Sequence, residues 1–523
     1  MGYALAAASG VLLALSFPKF GHPAYSWIAL VPLLLALADD ASPRPATGDA
    51  RASGLGPAAS CASQRLWRRP LALGFLTGVL YFTGTLYWIA RVMAVYGGLQ
   101  VWVAVLITVA LIAYLAVFPA LFALIMRQLM LAHGRAAVLL SPLAWVASEV
   151  ARGYVSGFPW ALLGYSQVRV LPIAQLASVG GVYGVSLLVA AVSAAVVFAA
   201  SGARVRYRYA PLGVMILAVL TIAVWGSQRM ASGDLTRAGE PVRVGLIQGN
   251  VDQAIKWDPA SAASIFRQYV RQTRQAILAG ATLILWPESS TPFMFEEDPG
   301  GAEQLRTLVR QARVTLIFGS DQVERNSPAR LYNSAFLLRP DGSTGGVYRK
   351  IRLVPFGEYV PMQQLLFFAA PLTEQVGTFT PGERAEVLPV NGHPVSVAIC
   401  YEVVYPALVR QFVSAGSQLL TTITNDAWFG ETSAPLQHFE QASMRAIEEG
   451  RYLVRAANTG ISGMVDPYGR VIRQSAIFQP EVIVDDVRFL QASTFYARHG
   501  DIVAIASLIA TIALFLWPRR YVQ

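Results

Sequence analysis

Charge is what this 523-residue chain has little of. Only 14% of its residues are Asp, Glu, Lys or Arg, against roughly a quarter in an average globular domain. With 54% hydrophobic residues and a mean hydropathy of +0.46, that composition excludes a wholly water-soluble protein. Lysine is scarcer still: Lys19, Lys256 and Lys350 are the only three, so the net charge of +10 comes almost entirely from arginine. Two cysteines, Cys61 and Cys400, are too few for a disulfide framework. The five histidines show no metal-ligand spacing with them, and there is no Walker loop, GxGxxG or HExxH. No metal or organic cofactor is expected. The arginines sit at the ends of apolar runs, a pattern of membrane topology rather than of nucleic-acid binding.

Those apolar runs dominate the first 230 residues. Segments near 2–18, 24–38, 71–91, 100–126, 136–151, 177–200 and 209–228, with an eighth at 502–518, approach the roughly 20 residues that cross a bilayer. Residues 1–230 thus read as a polytopic helical membrane domain of seven spans, followed by 240–490 as a globular domain and 502–518 as a last span. Arginine-rich loops (Arg44 to Arg69, Arg127 and Arg135, Arg204 to Arg208, Arg519 and Arg520) alternate with poorer ones. By the positive-inside rule both termini are cytoplasmic and 240–490 lies outside the cytoplasm. The 39–66 stretch, rich in Ala, Ser, Pro and Gly, reads as a flexible linker. Glu149 and Arg152, three apart, suit a pair on one helical face, either functional or at a solvated helix end. Gly157-Phe158-Pro159-Trp160 and Gly164-Tyr165-Ser166-Gln167 read as a re-entrant or interfacial segment, or as an ordinary loop with interface aromatics.

From 240 to 490 strands alternate with helices. Strands are expected at 242–248, 282–286, 314–319, 333–338, 395–400, 419–424, 463–466 and 482–487, and helices at 260–279, 301–312, 404–415 and 435–450. This implies a layered α/β domain with its own core.

Three strand ends there carry chemistry. Leu283-Ile284-Leu285-Trp286 runs into Pro287-Glu288, Val347-Tyr348-Arg349 into Lys350, and Val397-Ala398-Ile399 into Cys400. A carboxylate, an amine and a thiol at one edge of a sheet stand where α/β sites are built. A thiol with a reference pKa of about 8.5 needs a base, which Glu288 supplies if partial burial raises its own pKa. A developing oxyanion needs a cation, and a compact ammonium such as Lys350 suits it better than a guanidinium fork. The bland readings are a packed cysteine and a lysine with no special task.

Trp286-Pro287-Glu288, Lys350 with Val354-Pro355-Phe356-Gly357-Glu358-Tyr359, and Ile399-Cys400-Tyr401-Glu402 together resemble the Glu-Lys-Cys triad of the nitrilase (carbon–nitrogen hydrolase) superfamily. With spans on both sides, nearly the whole chain resembles the apolipoprotein N-acyltransferase family. The resemblance implies a nitrilase-like αββα sandwich outside the cytoplasm of a bacterial inner-membrane enzyme. It implies Cys400 as nucleophile, Glu288 as general base, Lys350 as oxyanion cation and Glu358 as a supporting carboxylate. Tyr401, through its N–H, and Glu402 follow the nucleophile. Asn333, in Tyr332-Asn333-Ser334, is read as part of a site-lining turn; Trp257 and Trp428 stand either near the pocket or in the core. The implied reaction passes an acyl chain from a phospholipid, phosphatidylethanolamine foremost, through a Cys400 thioester to the amine of a diacylglyceryl-cysteine apolipoprotein. Partners are membrane lipid and that acceptor, with a monomer expected. The apolar stretch 360–372 reads as a membrane-dipping lid or a buried core helix. Rival readings are a membrane-tethered amidase with the same triad, a transporter with a ligand-binding domain, and a purely structural membrane protein.

Overall fold

The computed structural model describes residues 1–41, 58–200, 207–355, 357–359 and 379–517, with the backbone alone at 40–41 and 58–66. The stretch 360–372, Phe356 and the Cys61 side chain lie outside the described residues. Two compact units emerge: Met1–Arg91 with Gln100–Ser227 and Asp501–Gln523, and Val92–Leu99 with Gln228–Gly500.

The first unit is all helix among its described residues. Helices Val101–His133, Ala177–Ala200 and the run Ala210–Arg237, which belongs to this unit up to Ser227, are long and apolar enough to cross a membrane, and Trp67–Leu86 with Trp88–Val95, which belongs to it up to Arg91, forms a pair bent by 52°. Shorter apolar helices cover Gly2–Ala14, Pro23–Asp39 and Ile502–Leu516. The expected span at 136–151 is a 3-10 turn followed by the 15-residue helix Ser141–Val155. The expected span at 177–200 is broken at Gly181, whose φ of 63° only glycine adopts cheaply. The 39–66 linker is shorter than read: the backbone is already helical from Ala58, where Ala and Ser replace the Gly and Pro before it.

The Glu149–Arg152 reading also changes. Both side chains are buried rather than solvated, and each serves the irregular backbone after the helix. Arg152 donates to the Phe158 and Trp160 carbonyls at 3.2 and 2.6 Å. Glu149 accepts the Leu163 N–H at 2.6 Å and the Trp145 indole at 3.1 Å. Residues 160–167 are accordingly buried inside the unit, not an ordinary exposed loop. Backbone that leaves the helical ladder in an apolar setting must find such partners.

The second unit is a pair of six-stranded sheets. The first holds β1 (Glu240–Gln248), β2 (Leu283–Leu285), β3 (Thr315–Glu324), β4 (Arg330–Leu338), β5 (Thr344–Arg349) and β12 (Glu481–Phe489), in the order β12-β1-β2-β3-β4-β5. The second holds β6 (Val387–Val390), β7 (His393–Ile399), β8 (Leu419–Thr424), β9 (Leu453–Ala457), β10 (Gly463–Val465) and β11 (Val471–Gln474), in the order β11-β10-β9-β8-β7-β6. Strands β1, β2 and β3 run parallel, as do β7, β8 and β9. The sheets meet through β1 against β9, β4 against β7 and β5 against β6. Helices Pro259–Leu278, Pro299–Ala312, Pro406–Ser414 and Ala434–Glu449 complete an α/β layered domain.

All eight strands given ranges are present, β5 contains the Val347-Tyr348-Arg349 strand end, and β6, β9 and β11 were not anticipated. β5 carries Gly345-Gly346 near its start, β6 contains Pro389, β11 is a short exposed edge, and β9 carries a buried arginine between Val454 and Ala456. Each departs from β-branched alternation. Under the first sheet, Trp286 stacks on Tyr269 with centroids 4.9 Å apart and donates to Thr273 at 2.8 Å. That anchor fixes the strand end from which Glu288 projects.

The turn carrying Glu288 lies directly on β3 because Gly319 has no side chain. A Cβ there would sit 2.7 Å from Glu288 Cα and 2.7 Å from the Pro287 oxygen. Gly319→Ala should destabilise the protein by about 1–3 kcal/mol through overpacking and displace Glu288. Thermal unfolding together with an acyl-transfer assay reads both, and an unaltered activity would contradict this account of the turn.

Candidate active site

Strand direction brings the reactive groups to one edge. Parallel β2, β7 and β8 end just before Glu288, Cys400 and Asn425, and β5, antiparallel to β4 and so codirectional with β3, ends just before Lys350. Asn333 is in the middle of β4 rather than in a turn, paired across the ladder with Asp321.

A buried network joins them. Lys350 Nζ donates to Glu288 Oε1 at 3.1 Å and to Glu358 Oε1 at 2.9 Å. The Asn333 amide donates to the same two oxygens, at 2.7 and 2.9 Å. Each remaining carboxylate oxygen takes a backbone N–H: Asn425 to Glu288 Oε2 at 2.9 Å, and Val354 to Glu358 Oε2 at 2.7 Å. Burial alone would raise the Glu288 carboxyl, but the Lys350 charge and the Asn333 hydrogen bond outweigh it and hold it below the usual carboxylate range. The expectation of a raised Glu288 pKa is therefore reversed. Burial opposes the Lys350 charge too, yet Glu288 and Glu358 keep it an ammonium far into the alkaline range.

Cys400 is buried at the end of β7, with a φ of 54°. A side chain other than glycine in that region marks a strained position held by its surroundings. Glu402 does much of the holding. One oxygen accepts the Ile399 N–H at 2.8 Å; the other accepts the Ile351 N–H at 2.6 Å, the Arg352 N–H at 3.1 Å and the Tyr348 hydroxyl at 2.8 Å. It thus ties the cysteine turn to the segment following Lys350. Burial and the Glu288 charge push the Cys400 thiol well up, with Lys350 pulling the other way. The cysteine rests as a thiol beside an ionised carboxylate.

The peripheral residues divide. Trp257 is 52% exposed, so core packing is excluded for it. Trp428 is half-buried and meets Tyr96 edge-to-face at 5.3 Å. Tyr401 is buried against Tyr405, centroids 5.2 Å apart.

Several site residues escaped the sequence reading. Lys256, noted there only for its rarity, is buried with Nζ donating to the Glu288 carbonyl at 3.3 Å, and burial lowers its pKa to about 8. Beside it Asp321, held by Ser289 at 3.0 Å, is raised by burial to about 6. The scarcity that drew attention to Lys350 applied equally to Lys256.

A two-sheet α/β domain with carboxylate, ammonium and thiol at its strand ends defines the carbon–nitrogen hydrolase class, and residues 243–494 match the family model described as Carbon-nitrogen hydrolase. Residues 9–195 match another, Apolipoprotein N-acyltransferase N-terminal domain. Apolipoprotein N-acyltransferase from Geobacter metallireducens is 39% identical over 100% of this chain and 96% of its own length. The Methylococcus capsulatus enzyme of the same name is 33% identical over 99% and 96%. The chain belongs to the apolipoprotein N-acyltransferase family. Among solved structures, a mutant nitrilase-superfamily amidase from Nesterenkonia aligns over 51% of this chain and 98% of its own, at 21% identity and a TM-score of 0.39.

Two measurements check the electrostatics. Because the thiol pKa is raised, iodoacetamide labelling of Cys400 should quicken about tenfold per pH unit from about pH 6 to 9; a plateau near neutrality would show a preformed thiolate instead. Asn333→Ala removes a donor that favours the ionised carboxylate, so the Glu288 pKa rises. The acid limb of the kcat/KM profile should move to higher pH, and an unmoved limb would remove Asn333 from this role.

Proposed function

We propose that this protein transfers an acyl chain from a phospholipid to the α-amine of a diacylglyceryl-cysteine at the N-terminus of an apolipoprotein, with Cys400 as the covalent carrier. The observation that carries the reading is the buried Lys350 ammonium bridging Glu288 and Glu358 at the strand edge where Cys400 stands. In the first half-reaction the Cys400 sulfur attacks the sn-1 ester carbonyl while its proton passes to Glu288. Lys350 and the Tyr401 N–H stabilise the oxyanion. On collapse the C–O bond breaks and Glu288 returns the proton to the departing glycerol oxygen, leaving a thioester and a lysophospholipid. In the second half-reaction the acceptor amine attacks the thioester and Glu288 takes a proton from it; as the C–S bond breaks, Glu288 returns that proton to sulfur, giving an amide and the regenerated thiol. Glu358 and Asn333 hold Lys350 and Glu288 in register, and exposed Trp257 with half-buried Trp428 offers apolar surface for an acyl chain.

Phosphatidylethanolamine is the preferred donor in this reading and the enzyme acts as a monomer. The arginine distribution supports eight spans in a bacterial inner membrane, both termini cytoplasmic and the catalytic domain on the far side.

Incubation with phosphatidylethanolamine should leave an acyl thioester on the Cys400 peptide, read by mass spectrometry, together with lysophospholipid. Cys400→Ser should form no thioester. Hydrolysis of small amides without any acyl adduct would sink the proposal in favour of a tethered amidase.

A further inference from the structure

A second buried polar chain, which the reaction above does not use, runs into the back of the nucleophile turn. His438, on the helix Ala434–Glu449, is fully buried, and its Nε2 lies 3.2 Å from the Cys400 carbonyl oxygen. On its other side Nδ1 lies 3.1 Å from Asp426 Oδ1 and 2.9 Å from an Arg455 Nη2. Arg455 also donates to Asp426 Oδ2 at 2.7 Å, and to the Ile461 carbonyl through Nε at 3.2 Å. Thr424 Oγ1 donates to Asp426 Oδ1 at 2.8 Å. All three charged or titratable members, Asp426, His438 and Arg455, are at most 1% exposed.

This arrangement fixes where one proton must be. Nε2 faces a carbonyl oxygen, which only accepts, so Nε2 is protonated and donates. Nδ1 has both an acceptor and a donor beside it, so that conclusion holds whether the ring is neutral or charged. Burial and Arg455 lower the His438 pKa, which favours the neutral ring with its one proton on Nε2.

The consequence lies in the next bond. The Cys400–Tyr401 peptide is planar, so its C=O and N–H point in opposite directions. An acceptor pinned by His438 turns the Tyr401 N–H away from the helix that bears His438. A carbonyl that accepts a hydrogen bond also makes the N–H of the same amide a better donor. The positive φ at Cys400 is what lets the chain offer its carbonyl to His438 at this turn. We propose that His438, oriented by Asp426 and Arg455, is a positioning residue that aims and polarises the Tyr401 N–H as the backbone donor to the tetrahedral oxyanion. The proposal rests on the acyl-transfer reading and deepens it: the oxyanion site has a built support on the second sheet, as Lys350 has on the first.

The test compares two reactions of the same sulfur in the full-length protein. Acylation by a phospholipid builds an oxyanion; alkylation by iodoacetamide does not. His438→Leu should slow single-turnover acylation by about 10² or more, the usual effect of losing one oxyanion donor, with alkylation within about twofold of wild type and little change in KM. His438→Gln, whose amide can donate to the same carbonyl, should recover most of the acylation rate. Equal losses in acylation and alkylation, or no loss in either, would overturn the proposal. So would failure of the glutamine variant to recover any rate while its alkylation and melting temperature match wild type. A p-nitrophenyl acyl ester gives the same ratio independently of the lipid. Wild type that is acylated by the ester but not by phospholipid would refute the donor assignment and leave the His438 inference standing on its own outcome.

Discussion

One ammonium group shared between two carboxylates organises the catalytic unit. Lys350 is 1% exposed, and an ion so thoroughly removed from water is tolerated only with close, well-aligned partners. Glu288 and Glu358 supply opposite charge, but two carboxylates side by side would repel each other without the ammonium and the Asn333 amide between them. Removing one partner of such a pair typically costs roughly 3–5 kcal/mol, because the remaining charge is stranded. The three charges therefore hold one another in place, and with them the ends of β2 and β5 and the turn around Val354. The backbone N–H groups of Asn425 and Val354 extend that constraint into the second sheet and the Lys350 loop.

The same constraint shapes the reactivity. A carboxylate kept ionised and a thiol kept protonated are mismatched as resting acid and base, so little thiolate exists before substrate arrives. In the proposed reaction the proton moves only as sulfur bonds to carbon, when the negative charge passes to an oxygen that Lys350 and the Tyr401 N–H would receive. This differs from a cysteine activated by a neighbouring imidazolium, where the thiolate is present in advance. It also suits an enzyme beside lipids, since a permanently ionised thiolate in so dry a place would be costly.

Much of this was legible in the residues. The strand runs into Glu288, Lys350 and Cys400 were visible because buried parallel strands are nearly continuous apolar runs, and a polar residue ending one stands out. Lysine scarcity marked Lys350 for the same kind of reason. What escaped was whatever depends on long-range pairing. His438 on an amphipathic helix and Arg455 in a short alanine-containing strand look unremarkable until the fold stacks them behind Cys400. Asn333 was noticed but placed in a turn, because Tyr-Asn-Ser resembles turn composition more than a central strand. The direction of the Glu288 shift was misjudged because burial was weighed there and the charge of the neighbouring ammonium was not. In the helical unit, hydropathy located most of the apolar helices but not the 3-10 turn and short helix at 135–155, and the breaks at Gly181 and after Leu86 left no mark in it.

The buried pair of polar residues at 149 and 152 has a bearing on how the helical unit comes to exist at all. A helix carrying a glutamate and an arginine is a poor guest in hydrocarbon by itself; each ionised side chain costs roughly 2.5–3.5 kcal/mol at mid-depth on insertion scales. Arg152 finds the Phe158 and Trp160 carbonyls and Glu149 the Leu163 N–H in chain that follows, while the Trp145 indole meets Glu149 from within the same helix. The helix Ser141–Val155 therefore leans on the segment behind it, and a chain ending between the two would lack the carbonyls that Arg152 uses and the Leu163 N–H that Glu149 accepts.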